Sequence, residues 1–136
     1  MAEKLAGMNK EYNNRPAIYT TSERRVGEWI DGKPLYQITV NIGSLPLVSA
    51  GLITINTALP NIKDVCQTFG VAIEHSTPGI LSSNIPLPHI STSGSNVMIY
   101  AGSKTDILYI SVATSGTADR SMYTGYVTVQ YTKTTD

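Results

Sequence analysis

Few side chains in this sequence are suited to chemistry. Cys66, His75 and His89 are the only soft metal ligands, and they are spread over 24 positions without a local pair. A zinc site takes about four such ligands, usually in close pairs. Cys66 therefore reads as a small buried hydrophobe and the histidines as loop residues. One arrangement would change this: on the axis of a trimer, a single histidine per chain becomes three ligands. Asp64, Glu74, Asp106 and Asp119 are the only carboxylates between residue 37 and Asp136. Two of them flanking a sugar linkage is what a glycosidase needs. Each lies at or near an expected turn, however, where capping and solvation are the ordinary roles. Gly102-Ser103-Lys104-Thr105 echoes the end of a phosphate-binding loop, but the lysine does not follow the glycine directly and no helix pattern comes after it. It reads as a polar hairpin turn. No G-x-S-x-G elbow, H-E-x-x-H pair, EF-hand loop or dinucleotide-binding glycine pattern occurs. The expectation is a chain that is not an enzyme and uses neither metal nor cofactor.

Binding of a sugar suits these residues better. Two loops, Ser91 to Asn96 and Thr114 to Arg120, are rich in small hydroxyl and amide groups that match sugar hydroxyls. The glycan-binding candidates are Ser91, Ser93, Asn96, Thr117, Asp119 and Arg120. Arg120 is the only basic residue in either loop and suits an anionic sugar or a wall-polymer phosphate. A salt bridge to Asp119, or to an acid on another chain, is its equal alternative. Trp29 and the eight tyrosines present apolar faces with polar handles, as sugar stacking requires. Tyr36, Tyr123 and Tyr131 fall on apolar strand faces, where packing is the default. Tyr100, Tyr109 and Tyr126 are left open between surface and core.

The elements that must carry these loops are strands. Tyr36, Ile38, Val40 and Ile42 share one face of a period-two run, and Gln37, Thr39 and Asn41 share the other. Asp31-Gly32 before this run supplies the positive-φ positions of a tight turn, so Val26 to Ile30 and Leu35 to Ile42 read as a hairpin. Further strands are expected at 52–56, across 62–74 with a bulge or break at Gly70, at 97–100, at 107–112 and at 123–132. Pro86 and Pro88 assign the stretch before residue 91 to a sheet edge or an extended loop. Gly102 to Asp106 reads as a turn. Residues 1–22 carry no β alternation and form an expected arm for attachment, followed by a domain over 23–136. The expected fold is all-β, an antiparallel β-sandwich or jelly-roll-like domain with a short N-terminal arm.

Composition narrows the function classes. Ten basic and ten acidic residues cancel, so no positive field favours nucleic acid. No apolar run reaches the roughly 18 residues of a membrane span, and the first residues carry no signal-peptide core. Charged residues make up 15% of the chain, against about 25% in ordinary soluble domains. Eleven of the twenty lie in residues 1–36, so the remaining hundred are polar yet nearly chargeless. That pattern suits an extracellular or virion β-structure.

Two stretches carry a family resemblance. Trp29-Ile30-Asp31-Gly32-Lys33-Pro34-Leu35-Tyr36 resembles the opening, and Tyr131-Thr132-Lys133-Thr134-Thr135-Asp136 the close, of a module found in bacteriophage and prophage tail or fibre proteins. The resemblance implies a virion structural or fibre domain, located in the virion and assembled in the bacterial cytoplasm. It also implies homotrimerisation and contact with other virion proteins, here through the N-terminal arm. The expected role is structural, or adhesion to a bacterial surface glycan as external partner. A phage-tail glycan-degrading enzyme and a non-viral carbohydrate-binding module are the alternatives. The two motifs read as framework, and the first hairpin and last strand are expected to pair and close the sheet.

Overall fold

The computed structural model describes residues 19–79 and 81–136. Eight strands run β1 Arg24–Glu28, β2 Pro34–Ser44, β3 Leu52–Asn56, β4 Ile62–Glu74, β5 Ser83–Leu87, β6 Val97–Lys104, β7 Ile107–Thr114 and β8 Thr124–Lys133. They form an antiparallel β-sandwich. One sheet has the order β1-β2-β8-β4-β5 and the other β3-β7-β6. β2 pairs with β8, and β3 with β7, so the chain nests early strands against late ones. Most of the expected arm, residues 1–18, lies outside the described residues. Its last residues lie against the larger sheet: Thr39 N–H donates to the Thr20 carbonyl at 2.9 Å.

Alternation decides which side chains meet between the sheets. Ile38, Val127, Val129 and Tyr131 of the larger sheet face Val97, Ile99, Leu108, Ile110 and Val112 of the smaller, all buried. Each such side chain contributes about 1.5–3 kcal/mol when fully removed from water. The other face of β2 and β8 carries a polar ladder. Thr39 and Thr128 hydroxyls lie 2.8 Å apart, and the Gln130 amide donates to Gln37 at 2.9 Å.

The two terminal motifs pair directly, but in the middle of the sheet and not as its closure, since β8 is the central strand and β1 and β5 are the edges. β2 and β8 pair from Tyr36 opposite Tyr131 to Ser44 opposite Thr124, with a register shift between Asn41 and Gly43. The Tyr36 and Tyr131 rings stack with centroids 6.2 Å apart, and the Lys133 ammonium lies 4.6 Å above the Tyr36 ring. Tyr36 donates to the Asp136 carboxylate at 2.8 Å, and Lys33 to the Asp136 carbonyl at 2.7 Å. Beneath them the Tyr131 hydroxyl and Lys133 both donate to the Glu23 carboxylate. Burial and this carboxylate push the Tyr131 phenol well above its ordinary pKa.

Several local expectations shift. β1 begins at Arg24 and ends at Glu28, and the turn takes in Trp29 to Lys33, with Gly32 at φ 83°. Asp31 accepts from Lys33 N–H at 3.0 Å, an Asx contact that closes the turn early. β4 runs unbroken through Gly70; its irregularities fall between Ile62 and Gln67. Gly70 is there for close approach, because a Cβ at this position would strike the Tyr126 backbone carbonyl. The expected turn at 102–106 contracts to Thr105 and Asp106, both at positive φ, and Gly102 belongs to β6. β5 is an edge strand, with Pro86 opposite Val71 and the Leu87–Pro88 bond cis.

Candidate functional site

The loops before β6 and after β7 come together at one end of the smaller sheet, because β6 and β7 are hydrogen-bonded neighbours. Val97 pairs with Thr114. The ladder continues past the strand ends, where Asn96 and Ser115 exchange N–H···O bonds of 3.1 and 2.9 Å. The first loop is braced internally. Ser91 N–H donates to the Asn96 side-chain oxygen at 3.0 Å, and Ser91 and Ser93 hydroxyls lie 2.8 Å apart.

Ser95 joins the two loops. It is buried, and its hydroxyl oxygen accepts the N–H groups of Thr117 at 3.1 Å and Ala118 at 3.2 Å. Its carbonyl accepts from the Arg120 guanidinium at 2.9 Å. Gly116, at φ 90°, lies so close that a Cβ would come within 2.6 Å of the Ser95 Cα and hydroxyl. No single position in the sequence marks Ser95; the signal is the glycine in the facing loop, and it becomes readable only once the loops are known to face each other.

The six candidates thus sit on one shared platform. Ser93, Thr117 and Asp119 are exposed, while Ser91, Asn96 and Arg120 are half-buried. The Asp119 carboxylate accepts from Ser121 N–H at 2.9 Å, and the hydrogen bonds from Ser121 hold its pKa below the ordinary range. Arg120 therefore has a backbone carbonyl as partner, not Asp119. Part of its guanidinium is committed to joining the loops, so it positions the platform as well as charging it.

Of the residues weighed for chemistry, Glu74 and His75 make local side-chain contacts. Glu74 accepts from the Thr77 hydroxyl and from Ser76 N–H at 3.0 Å and Ser76 hydroxyl at 2.7 Å, which lower its pKa. His75 Nδ1 lies 3.0 Å from the Leu81 carbonyl, and His89 bridges to Val97 through its backbone. Desolvation and the neighbouring Asp64 carboxylate push the Cys66 thiol up, away from the reactive thiolate. Among the described residues, no three His, Cys, Asp or Glu side chains come together as a metal cluster.

The aromatic candidates divide. Trp29 is half-buried in the hairpin turn. Tyr126 lies on the outer face of the larger sheet beside Phe69 and Val71. Tyr100 and Tyr109 lie on the outer face of the smaller sheet, with Tyr100 54% exposed. Compared with protein families, with curated proteins and with solved structures, the chain matches none, so the reading of this site rests on its own chemistry.

Proposed function

We propose that the chain is a structural or fibre domain of a bacteriophage virion, homotrimeric on the particle, that contacts a surface glycan of the bacterial host. The observation that carries this reading is the joining of the two phage-like motifs into one frame, with Tyr131, Lys133 and Asp136 each in contact with Tyr36. Motifs spent on a frame leave recognition to the loops, and the loops of this chain form one hydroxyl- and amide-rich platform. Single neutral contacts of this kind contribute about 1 kcal/mol each, so useful adhesion comes from many copies on one particle. Trimer formation has a candidate surface. Phe69, Val71, Ile73 and Tyr126 line an apolar groove on the outer face of the larger sheet, outside the core.

The test is direct. Particles purified from the bacterium that carries the gene should contain the chain in fixed stoichiometry by peptide mass spectrometry. Fluorescent chain displayed on beads should adsorb to the host, less so after Arg120→Ala or replacement of Ser91–Asn96 by glycine and serine. Absence from purified particles overturns the virion reading. Presence on particles without adsorption leaves a purely structural role.

A further inference from the structure

A second surface, separate from the loop platform, has the chemistry of a saccharide site. The outer face of the smaller sheet holds an open groove of about 840 Å³. Register places its side chains in two adjacent rows across the three strands. Thr54 of β3, Ser111 of β7 and Tyr100 of β6 form one row; Asn56, Tyr109 and Gly102 form the next. Residues two apart on a strand put these rows about 7 Å apart. Each row therefore offers one aromatic ring with short hydroxyl or amide groups beside it.

Glycine shapes this surface. A Cβ at Gly102 would come within 2.8 Å of the Tyr109 hydroxyl and 3.0 Å of its ring carbon. The absence of a side chain at 102 lets the Tyr109 ring lie down over β6, low enough to serve as a floor. Tyr100, on the same face of β6, stands exposed beside it. The Thr54 hydroxyl is exposed at the groove and lies 3.0 Å from the hydroxyl of Ser111, which is buried beside it. Among the described residues, Lys104 is the one charged residue lining the groove, at its turn end.

We infer that this groove binds an extended oligosaccharide, two sugar rings lying over Tyr100 and Tyr109, with an acidic sugar favoured at the Lys104 end. Aromatic rings receive the apolar C–H faces of pyranoses, and the exposed Asn56 and Thr54 meet their hydroxyls. An ammonium at one end attracts a carboxylate or phosphate substituent, an attraction that weakens with salt. The inference deepens the adhesin reading and rests on it for the bacterial origin of the glycan.

The experiment uses the full chain on beads against immobilised bacterial polysaccharides, one set rich in uronic acids and one neutral. Wild type should bind members of the acidic set more strongly. Tyr100→Ala, at an exposed position that folding does not require, should lose about tenfold in binding. Gly102→Ala, which lifts the Tyr109 ring, should also weaken it. Lys104→Ala should remove the preference for acidic polymers and flatten the salt dependence, whereas Lys63→Ala on β4 should change nothing. Tyr100→Ala binding within twofold of wild type overturns the inference, as does a wild type that binds neither set. Light scattering in which Tyr100→Ala dissociates an oligomer also overturns it, since the face would then be a contact between copies. A chain found on particles but blind to every polysaccharide would sink this inference and leave the virion reading standing.

Discussion

At the scale of single residues, the frame depends on two tyrosines and the carboxylates they reach. The Tyr131 ring is fully buried, and its hydroxyl is held by Glu23. Tyr131→Phe keeps the packing and removes the charge-assisted bond. It should lower stability by about 1–2 kcal/mol in urea denaturation, with the slope against urea unchanged. Glu74 behaves differently. Because the Thr77 and Ser76 hydroxyls lower its pKa in the folded chain, the unfolded chain binds the proton more readily. The contribution is therefore fully present above the ordinary glutamate value of about 4.3 and is lost as pH falls through the lowered folded value. Thermal midpoints recorded from pH 7 to pH 3 should fall more steeply for wild type than for Glu74→Gln. Parallel curves would show that these hydroxyls do not favour the charged form.

At the scale of elements, turns and strand crossings hold the information that function needs. The β6–β7 hairpin turns on Thr105 and Asp106, both in the left-handed region at φ 53° and 57°. Side chains pay a conformational penalty there that asparagine and glycine largely avoid. Replacing the pair by Asn-Gly should stabilise the chain by about 1 kcal/mol and raise the thermal midpoint. Ser95 is the corresponding point for the loop platform, since its one hydroxyl serves two backbone N–H groups. Ser95→Ala should cost about 1–2 kcal/mol and raise amide exchange at Thr117 and Ala118 specifically. Exchange unchanged at those two amides would mean that the loops are held by the strand ladder alone.

At the scale of the whole molecule, the sandwich buries one face of each sheet and leaves apolar side chains on an outer face. Phe69, Val71 and Ile73 alternate along β4 with Gly70 and Ala72, so the stretch 69–73, apolar on both sides, contributes inward and outward at once. Only one of those faces is used by the core. In light scattering at tens of micromolar the chain should form a closed homotrimer, and Val71→Asp should reduce it to a monomer with little change in its circular dichroism. A monomeric wild type would remove the oligomeric part of the proposal and leave the sandwich untouched.

The sequence by itself determined most of the strands, the inward side chains of β2 and β8, and the polar loops between strands. It left the facing of Tyr100, Tyr109 and Tyr126 open. Period-two alternation needs no partner to be visible, as Tyr36 to Ile42 and Tyr123 to Tyr131 demonstrate. The pairing of the first hairpin with the last strand was also legible, since both ends carry tyrosine and β-branched residues on one face. Tertiary structure alone decided which strands became neighbours. Alternation separates inside from outside but carries no record of sheet order, and the groove draws one row from residues 54, 111 and 100. For the same reason Gly70 reads as a break until Tyr126 is seen lying across it, and Gly102 as a turn until Tyr109 is. Ser91–Asn96 and Thr114–Arg120 were each recognisable as polar loops. Their union through Ser95 follows only from the pairing of β6 with β7, because a hydrogen bond between residues more than twenty positions apart is set by where the backbone brings them.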